Sequence, residues 1–367
     1  MSTKGNIKTT GGSSRKVDPK VKNLFIFVTT RLGSVVGFCY GFIWCTNERD
    51  PMRLIAYLTI GILVWRICLS IYRRLIVPAK EPLAYGKWAI VTGSTSGIGK
   101  EFAEELARRG MSIMLISRNK TSLAEQAAEL TERFKVDTKY MVYNFGEEQF
   151  GPVKDAFYSQ LHKECTGMNA DGGLGLLINN VGVNEDHPML FDEFDDKAIY
   201  NMINCNIHSI TWMTQTVMKY MKERKNGGVV TISSGSASYP APYNVLYSAT
   251  KAFSVQFSRS LHVENWGTGV DFYVVTPFYI VSNLFKRKSG TIVAPMPAAL
   301  VSGTLSQLGK KWVWQGHGYW FHGLLGNAAL YFWGTTERWR KMMVDNRARW
   351  EEKQAQLKET AAGDKED

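Results

Sequence analysis

Tyr247 and Lys251, in the run Tyr247-Ser248-Ala249-Thr250-Lys251, stand four residues apart. On a helix that spacing puts both side chains on one face. An ammonium beside a phenol stabilises phenolate and draws the tyrosine pKa from about 10 toward working pH. Such a phenol can give a proton to a carbonyl oxygen as hydride reaches the carbon. The pair alone is not distinctive. With sixteen tyrosines in the chain, roughly one such spacing arises by chance, and its bland reading is a core Tyr beside a surface Lys. Its surroundings supply the context. Ser233-Ser234 closes an apolar run shortly before Tyr247, where a hydroxyl can orient a substrate carbonyl. Asn179-Asn180-Val181-Gly182 closes another, and Asn206 lies on the helix that follows, where its amide can hold a water or a backbone group.

A second element is Thr92-Gly93-Ser94-Thr95-Ser96-Gly97-Ile98-Gly99. Glycines after a strand let the backbone turn tightly and approach a phosphate, and the helix that opens there supplies free N–H donors. After the next strand, an NAD enzyme places Asp or Glu against the ribose 2′-hydroxyl. This chain has Ser117-Arg118-Asn119 instead. Arg118 can make charge-assisted hydrogen bonds to a 2′-phosphate, so the missing acid and the added base both point to NADP(H).

These groups need a scaffold that brings them to one edge. From Lys87 onward, short apolar runs alternate with amphipathic helices, the pattern of a parallel βαβ sheet. The strands expected are Trp88–Thr92, Ser112–Ser117, Tyr140–Phe145, Leu174–Asn179, Val229–Ser233 and Val270–Thr276. Ile98, Phe102 and Leu106 recur at i, i+4, i+8 and mark one apolar helical face. Gly110 stands where a left-handed residue would stop that helix. The result is α/β, a doubly wound, Rossmann-like parallel sheet whose ligands sit at the carboxyl ends of the strands.

The 367-residue chain carries a formal net charge of +11. Much of the excess lies in a polar tail (Lys4, Lys8, Arg15, Lys16, Lys20, Lys22) and beside apolar segments. No nucleic-acid-reading motif accompanies it, so an anionic membrane surface is the partner expected. Two apolar stretches follow the tail, Leu24–Cys45 and Leu54–Val77. Arg31 shortens the first and Arg66 interrupts the second, at a cost of about 2.5–3.5 kcal/mol for a mid-bilayer Arg. No signal-peptidase-like site follows Cys45, which favours an uncleaved anchor: a helical hairpin, or one span plus an interfacial helix. The five cysteines (Cys39, Cys45, Cys68, Cys165, Cys205) show no paired or metal-site spacing, so free thiols and no metal are expected. Trp312–Thr336 has no Asp, Glu, Lys or Arg and is rich in aromatics. It reads as membrane-associated or packed over the substrate site. The divisions expected are a disordered tail (1–22), a membrane anchor (23–85), a catalytic domain (86–285), a substrate lid with the aromatic segment (286–336) and a charged, solvated C-terminal helix and tail (337–367).

Taken together, TGSTSGIG, NNVG, the serine before the tyrosine and YSATK resemble the short-chain dehydrogenase/reductase family over residues 86–285. NNVG, SSGSASYPAPYNVLYSATKAF and Val275–Ser282 bring the chain nearer one branch, the membrane-bound 3-oxoacyl-CoA reductases and related 17β-hydroxysteroid dehydrogenases. The resemblance implies a catalytic tetrad of Asn206, Ser234, Tyr247 and Lys251. Tyr247 would donate the proton, Lys251 would tune it and bind the nicotinamide ribose, Ser234 would orient the carbonyl and Asn206 would support a relay water. It implies NADPH held by Gly93, Ser96, Gly97, Ile98, Gly99, Arg118, Asn180, Gly182, Pro277 and Ser282. Asn144 stands where relatives carry an Asp on adenine, and Phe278 replaces the Gly of the family's Pro-Gly pair. The implied function is reduction of long-chain 3-oxoacyl-CoA, with a steroid ketone as the alternative substrate and a catalytically silent NADPH-binding scaffold as a third reading. Other elongation enzymes are implied partners. A homo-oligomer formed through the helices around Asp196–Lys222 and Tyr243–Asn265 is also implied, as is an endoplasmic-reticulum membrane location with the catalytic domain facing the cytosol. The C-terminus carries no retrieval motif.

Overall fold

The computed structural model describes residues 51–147, 150–282, 289–310, 313–324 and 336–363. The polar tail, the apolar stretch Leu24–Cys45 and residues 325–335 of the aromatic segment lie outside the described residues. The chain divides between Ile71 and Tyr72 into two compact units.

In the first unit, helix α1 (Pro51–Ile71) exposes Ile55, Ile60, Leu63, Trp65 and Ile67, with Arg53 and Arg66 also at its surface. Among the described residues, no helix is long and apolar enough to cross a membrane. The spanning helices expected from the sequence therefore have no counterpart there.

The second unit is built on a seven-stranded parallel sheet in the order β3-β2-β1-β4-β5-β6-β7. The strands are β1 (Trp88–Thr92), β2 (Ser112–Ser117), β3 (Thr138–Val142), β4 (Leu174–Asn179), β5 (Gly227–Ile232), β6 (Val270–Val275) and β7 (Gln315–Gly316). The order runs outward in both directions from β1 and β4, so the chain reverses winding there and opens a crevice above their carboxyl ends. Every residue of β1, β2, β4 and β5 is buried, as a parallel sheet covered on both faces requires. The two-residue alternation sorts their side chains. Ala89 and Val91 join a core under α2 (Gly97–Arg108), α3 (Lys120–Phe134) and α8 (Pro297–Leu305). Trp88 and Ile90 join a second core under α4 (Pro152–Ala170) and α6 (Ser209–Arg224).

Five of the six expected strands appear with their bounds unchanged or shifted by two residues or fewer. β3 is the exception: it starts at Thr138 and ends at Val142, before Tyr143 and Phe145. The apolar run misled because Tyr143 stacks on Phe157, with ring centroids 3.9 Å apart, after the chain has left this edge strand. α2 buries Phe102 and Leu106, with Ile98 partly covered. Gly110, at φ 89°, ends it in the left-handed region. The long helix expected around Asp196–Lys222 is three pieces: α5 (Asp196–Ile203), a π-turn over Asn204–His208, and α6. The helix around Tyr243–Asn265 is α7 (Val245–Glu264).

Of the segment read as a lid, residues 297–308 enter the core instead: Leu300, Val301, Leu305 and Leu308 are fully buried, and α8 packs on α2. β7, absent from the sequence expectation, is short and flanked by Trp and His rather than by an apolar alternation. A Cβ on Gly303 of α8 would overlap the carbonyl oxygen of Gly318 just after β7. Gly→Ala inside a helix ordinarily gains about 1 kcal/mol, whereas overpacking costs about 1–3 kcal/mol. Gly303→Ala is expected to lower the melting temperature of the full chain. An unchanged or raised Tm in a thermal unfolding scan would separate α8 and β7 from the core.

Candidate active site and dinucleotide cradle

All four residues of the expected tetrad meet at the carboxyl edge of the sheet. α7 carries Tyr247 and Lys251 one turn apart, with the ammonium 5.6 Å from the phenol ring centroid. Lys251 is 6% exposed, and its Nζ donates to the Ile232 carbonyl at 3.1 Å. An ammonium has three donors, so donors remain for other partners. Burial pushes its pKa down from 10.5 to about 8. Burial pushes the Tyr247 phenol in the opposite direction, upward, and a hydrogen bond from Ser234 pulls it back. The ligand-free site thus favours a neutral phenol ready to donate.

Ser234, just beyond β5, is set by its own turn. Its Oγ accepts from the Ser236 N–H at 3.2 Å and the Ser236 hydroxyl at 3.0 Å. With both lone pairs engaged, the proton left to give points to the phenol or to a substrate oxygen. Asn206 sits in the π-turn, 1% exposed. Its Oδ1 accepts from Val183 N–H at 2.8 Å, while its Nδ2 donates to the Val183 carbonyl and to Thr250 Oγ1, each at 3.0 Å. That side chain is spent on the protein and pins the chain after Gly182 to α7. Gly182 completes the packing, because a Cβ there would stand 2.9 Å from Lys251 Nζ.

The glycine-rich turn forms a cradle. Gly93 and Gly97 have φ of 61° and 54°. A Cβ on Gly99 would collide with the Gly93 carbonyl and with Asn180 Nδ2. Asn180 locks the turn, its Nδ2 donating to the carbonyls of Thr92 and Gly93, both at 3.1 Å. Ser94 Oγ is buried without a hydrogen-bond partner. The α2 N-terminus begins at Gly97 after Ser96, whose side chain makes no cap bond, so the first N–H groups of the helix are left to a ligand. Ser282 lies beside Gly97. This backbone-lined hollow fits a dinucleotide diphosphate.

A cavity of about 280 Å³ joins the two parts, lined by Ile98, Asn180, Gly182, Ser234, Tyr247, Lys251, Pro277 and Ser282 among others. Arg118 and Asn144 line a separate open cleft of about 1070 Å³ with Tyr200 and His208. Arg118 is exposed, free to meet a 2′-phosphate. Asn144 is occupied within its own turn: its Nδ2 donates to Glu147 Oε1 at 2.7 Å and its Oδ1 accepts from Gly146 N–H at 3.1 Å.

Sequence reasoning missed several residues of the cavity wall. Tyr239, Asn244 and Tyr279 flank the motifs, and Met343 arrives from the C-terminal helix α9 (Thr336–Gly363). It also missed Thr92, whose Oγ1 accepts from Asn180 N–H at 3.0 Å, and His322, which is fully buried. His322 Nδ1 accepts from Phe278 N–H at 3.3 Å, and its Nε2 donates to the Val293 carbonyl at 2.9 Å. Burial pushes its pKa down, in keeping with that neutral tautomer. A buried His between loops has no spacing signal by which to find it.

The model of the family described as short chain dehydrogenase matches residues 87–292. The very-long-chain 3-oxoacyl-CoA reductase of Homo sapiens is 37% identical over 276 residues, 73% of this chain and 84% of that protein. The inactive hydroxysteroid dehydrogenase-like protein 1 of Homo sapiens is 36% identical over 249 residues, 65% of this chain and 70% of that one. Among solved structures, a short-chain dehydrogenase from Sphingobium yanoikuyae in complex with NADPH is 25% identical with a TM-score of 0.52, covering 59% of this chain and 82% of that one.

The charge on Lys251 sets a pH limit. The ammonium is present below its pKa of about 8 and is lost as pH rises through it. A neutral amine no longer stabilises phenolate character in Tyr247. The rate of ketone reduction is therefore expected to fall on the alkaline side with an apparent pKa near 8. Lys251→Arg, which cannot lose its proton in this range, is expected to remove that limb while lowering the maximum. Initial rates from pH 6 to 10 (about two units either side of the midpoint) read this directly, and a wild-type profile flat across the window contradicts it.

Proposed function

Because the chain belongs to the short-chain dehydrogenase family, we propose that it reduces the 3-keto group of long- and very-long-chain 3-oxoacyl-CoA to 3-hydroxyacyl-CoA with NADPH, the second step of microsomal fatty-acid elongation. The observation that carries this reading is the buried Lys251 beside Tyr247 and Ser234, in a chain 37% identical to a very-long-chain 3-oxoacyl-CoA reductase.

The residues divide the work. Gly93, Gly97, Gly99 and the α2 N-terminus hold the diphosphate, Arg118 takes the 2′-phosphate, and Lys251 takes the nicotinamide ribose with Asn180, Gly182, Pro277 and Ser282 along the cofactor. Bound NADPH supplies the hydride. Ser234 donates a hydrogen bond that fixes the carbonyl oxygen, and Tyr247 gives that oxygen its phenolic proton. Lys251 stabilises the phenolate left behind. Asn206 acts by position: its side chain fixes Val183 and Thr250, so a relay water would be held by neighbouring backbone. Asn144 is assigned the adenine edge, at the cost of its bond to Glu147.

The inactive relative at similar identity makes a silent scaffold the reading to beat, and the assembled trio opposes it. NADPH oxidation by detergent-solubilised full-length protein, with 3-oxoacyl-CoA and a 17-ketosteroid side by side, is the test. Turnover of the CoA ester is expected. Tyr247→Phe is expected to lower kcat by about 10²–10⁴ with NADPH binding retained. Turnover of the steroid alone would move the substrate to the runner-up, and no turnover at all would favour the scaffold.

The α1 helix supports attachment of residues 23–85 to a membrane, here assigned to the endoplasmic reticulum with the catalytic unit facing the cytosol. Large apolar side chains exposed around a helix need apolar surroundings, and α1 exposes Ile55, Ile60, Leu63 and Ile67. The aromatic segment from Trp312 is assigned to the same surface. Homo-oligomerisation through α5–α6 and α7, and association with other elongation enzymes, belong to this reading. Full-length protein is expected to stay with membranes in alkaline carbonate, and a chain lacking residues 1–71 to be released. Retention of the shortened chain would place the attachment elsewhere.

A further inference from the structure

The sequence suggests that the charged C-terminal helix is solvated. The structure seats it on the active-site loops. Arg347 of α9 reaches the loop between β4 and α5 and binds both carboxylate oxygens of Glu193, at 2.8 and 2.9 Å. The same guanidinium donates to the Pro188 carbonyl at 2.6 Å. One turn on, Trp350 stacks on His187 with centroids 4.0 Å apart and planes within 5°. That loop is tied in turn to the one before α7, since Met189 N–H donates to the Tyr243 carbonyl at 3.0 Å. A two-bond Arg–carboxylate fork fixes direction as well as distance.

The consequence is the placement of Met343, one helical turn before Arg347. It lines the same 280 Å³ cavity as Tyr247, Ser234 and Lys251. Ligand pockets commonly measure about 300–1,000 Å³, so this cavity takes the reacting end of a long amphiphile and little more. Arg340, three residues earlier and on the same face of α9, borders an open, largely apolar groove that shares Ser236, Tyr239 and Ala241 with the cavity. The α9 face therefore runs from the reacting carbon toward space into which a chain can continue.

We propose that α9 is part of the substrate site, with Met343 the specificity-determining contact for the alkyl chain beyond the keto group. Arg347 is a positioning residue that holds Met343 there through Glu193 and the Pro188 carbonyl. A methionine suits this task, because its unbranched thioether adapts to a flexible chain. The inference rests on the 3-oxoacyl-CoA reading for the identity of that chain.

The test uses full-length protein in detergent and the ratio of kcat/KM for a long-chain over a four-carbon 3-oxoacyl-CoA. Met343→Trp is expected to lower that ratio at least tenfold, mainly through KM, and Met343→Ala to shift the optimum toward longer chains. Arg347→Met is expected to flatten the chain-length profile, with NADPH affinity by fluorescence titration unchanged. Arg347→Lys should restore part of the profile. Tm of each variant identifies any that fail to fold, and Met343→Leu serves as the milder replacement. A wild-type ratio kept by Met343→Trp, Met343→Leu and Arg347→Met overturns the proposal. Should the wild type reduce only the steroid ketone, the acyl-CoA reading falls separately. The wall is then judged on that ketone, where unaltered KM in Met343→Trp overturns it.

Discussion

Lys251 carries its amine into a place that water barely reaches, and much of the catalytic edge is arranged around that fact. A buried ammonium without partners is costly, and here it has one carbonyl, Ile232, with a phenol ring nearby. The burial that penalises its charge also keeps the Tyr247 phenol protonated. Space for the ammonium depends on Gly182 having no side chain. The course of the chain after Gly182 depends on Asn206, whose amide grips both backbone groups of Val183. Asn206 can reach them because the helix relaxes into a π-turn at Asn204–His208, a local widening of the kind often found at functional sites. One constraint thus links α7, the β4 loop and the helix after it.

The two halves of the site are made of different material. The cofactor half is mostly backbone: positive-φ glycines, a helix N-terminus, and carbonyls held by Asn180. Few residue types satisfy it, because a Cβ at Gly99 has nowhere to go. The substrate half is side chains from separated segments, Tyr239, Phe278, Tyr279 and Met343, carried on loops and a distant helix. His322 sits between the halves. It clamps Phe278 N–H on the cofactor loop and the Val293 carbonyl beyond it, and its ring lies edge-on to Phe278. A chain that varied its substrate could alter the second half without disturbing the first.

That division explains what the sequence alone disclosed. The parallel sheet was legible from buried apolar runs, and the cradle and tetrad from residues whose chemistry is tied to fixed spacing and to strand ends. β3 was misplaced because Tyr143 and Phe145 are apolar for the sake of an aromatic cluster with Phe157, outside the strand. β7 was missed because two residues pairing with β6 leave no periodicity to detect. For residues 297–308 the sequence suggests a cover over the substrate, since an apolar stretch after the last recognisable strand does not say which face it packs on. Met343 is invisible for a related reason: it sits among charged residues, and contacts between positions far apart in the chain, Arg347 with Glu193 and Pro188 and Trp350 with His187, bring it to the cavity.

The cost of burying Lys251 separates an enzyme from a silent member of its family. Binding a dinucleotide calls for the glycine cradle and its donors, and the sheet needs apolar side chains in its core. A neutral donor could hold the nicotinamide ribose as well as Lys251, and neither demand calls for a buried ammonium 5.6 Å from the ring of a phenol whose own pKa is raised by burial. In a protein that only held a cofactor, a neutral side chain with a donor at position 251 would relieve the desolvation cost and leave the cradle intact. Ser234, with both lone pairs engaged by Ser236, would likewise have no reason to keep a proton aimed at the phenol. The cost is justified where charge on a carbonyl oxygen changes during reaction, because fixed donors then act on the transition state more than on the bound substrate. The buried Lys251 is thus an argument for chemistry that the fold by itself does not make.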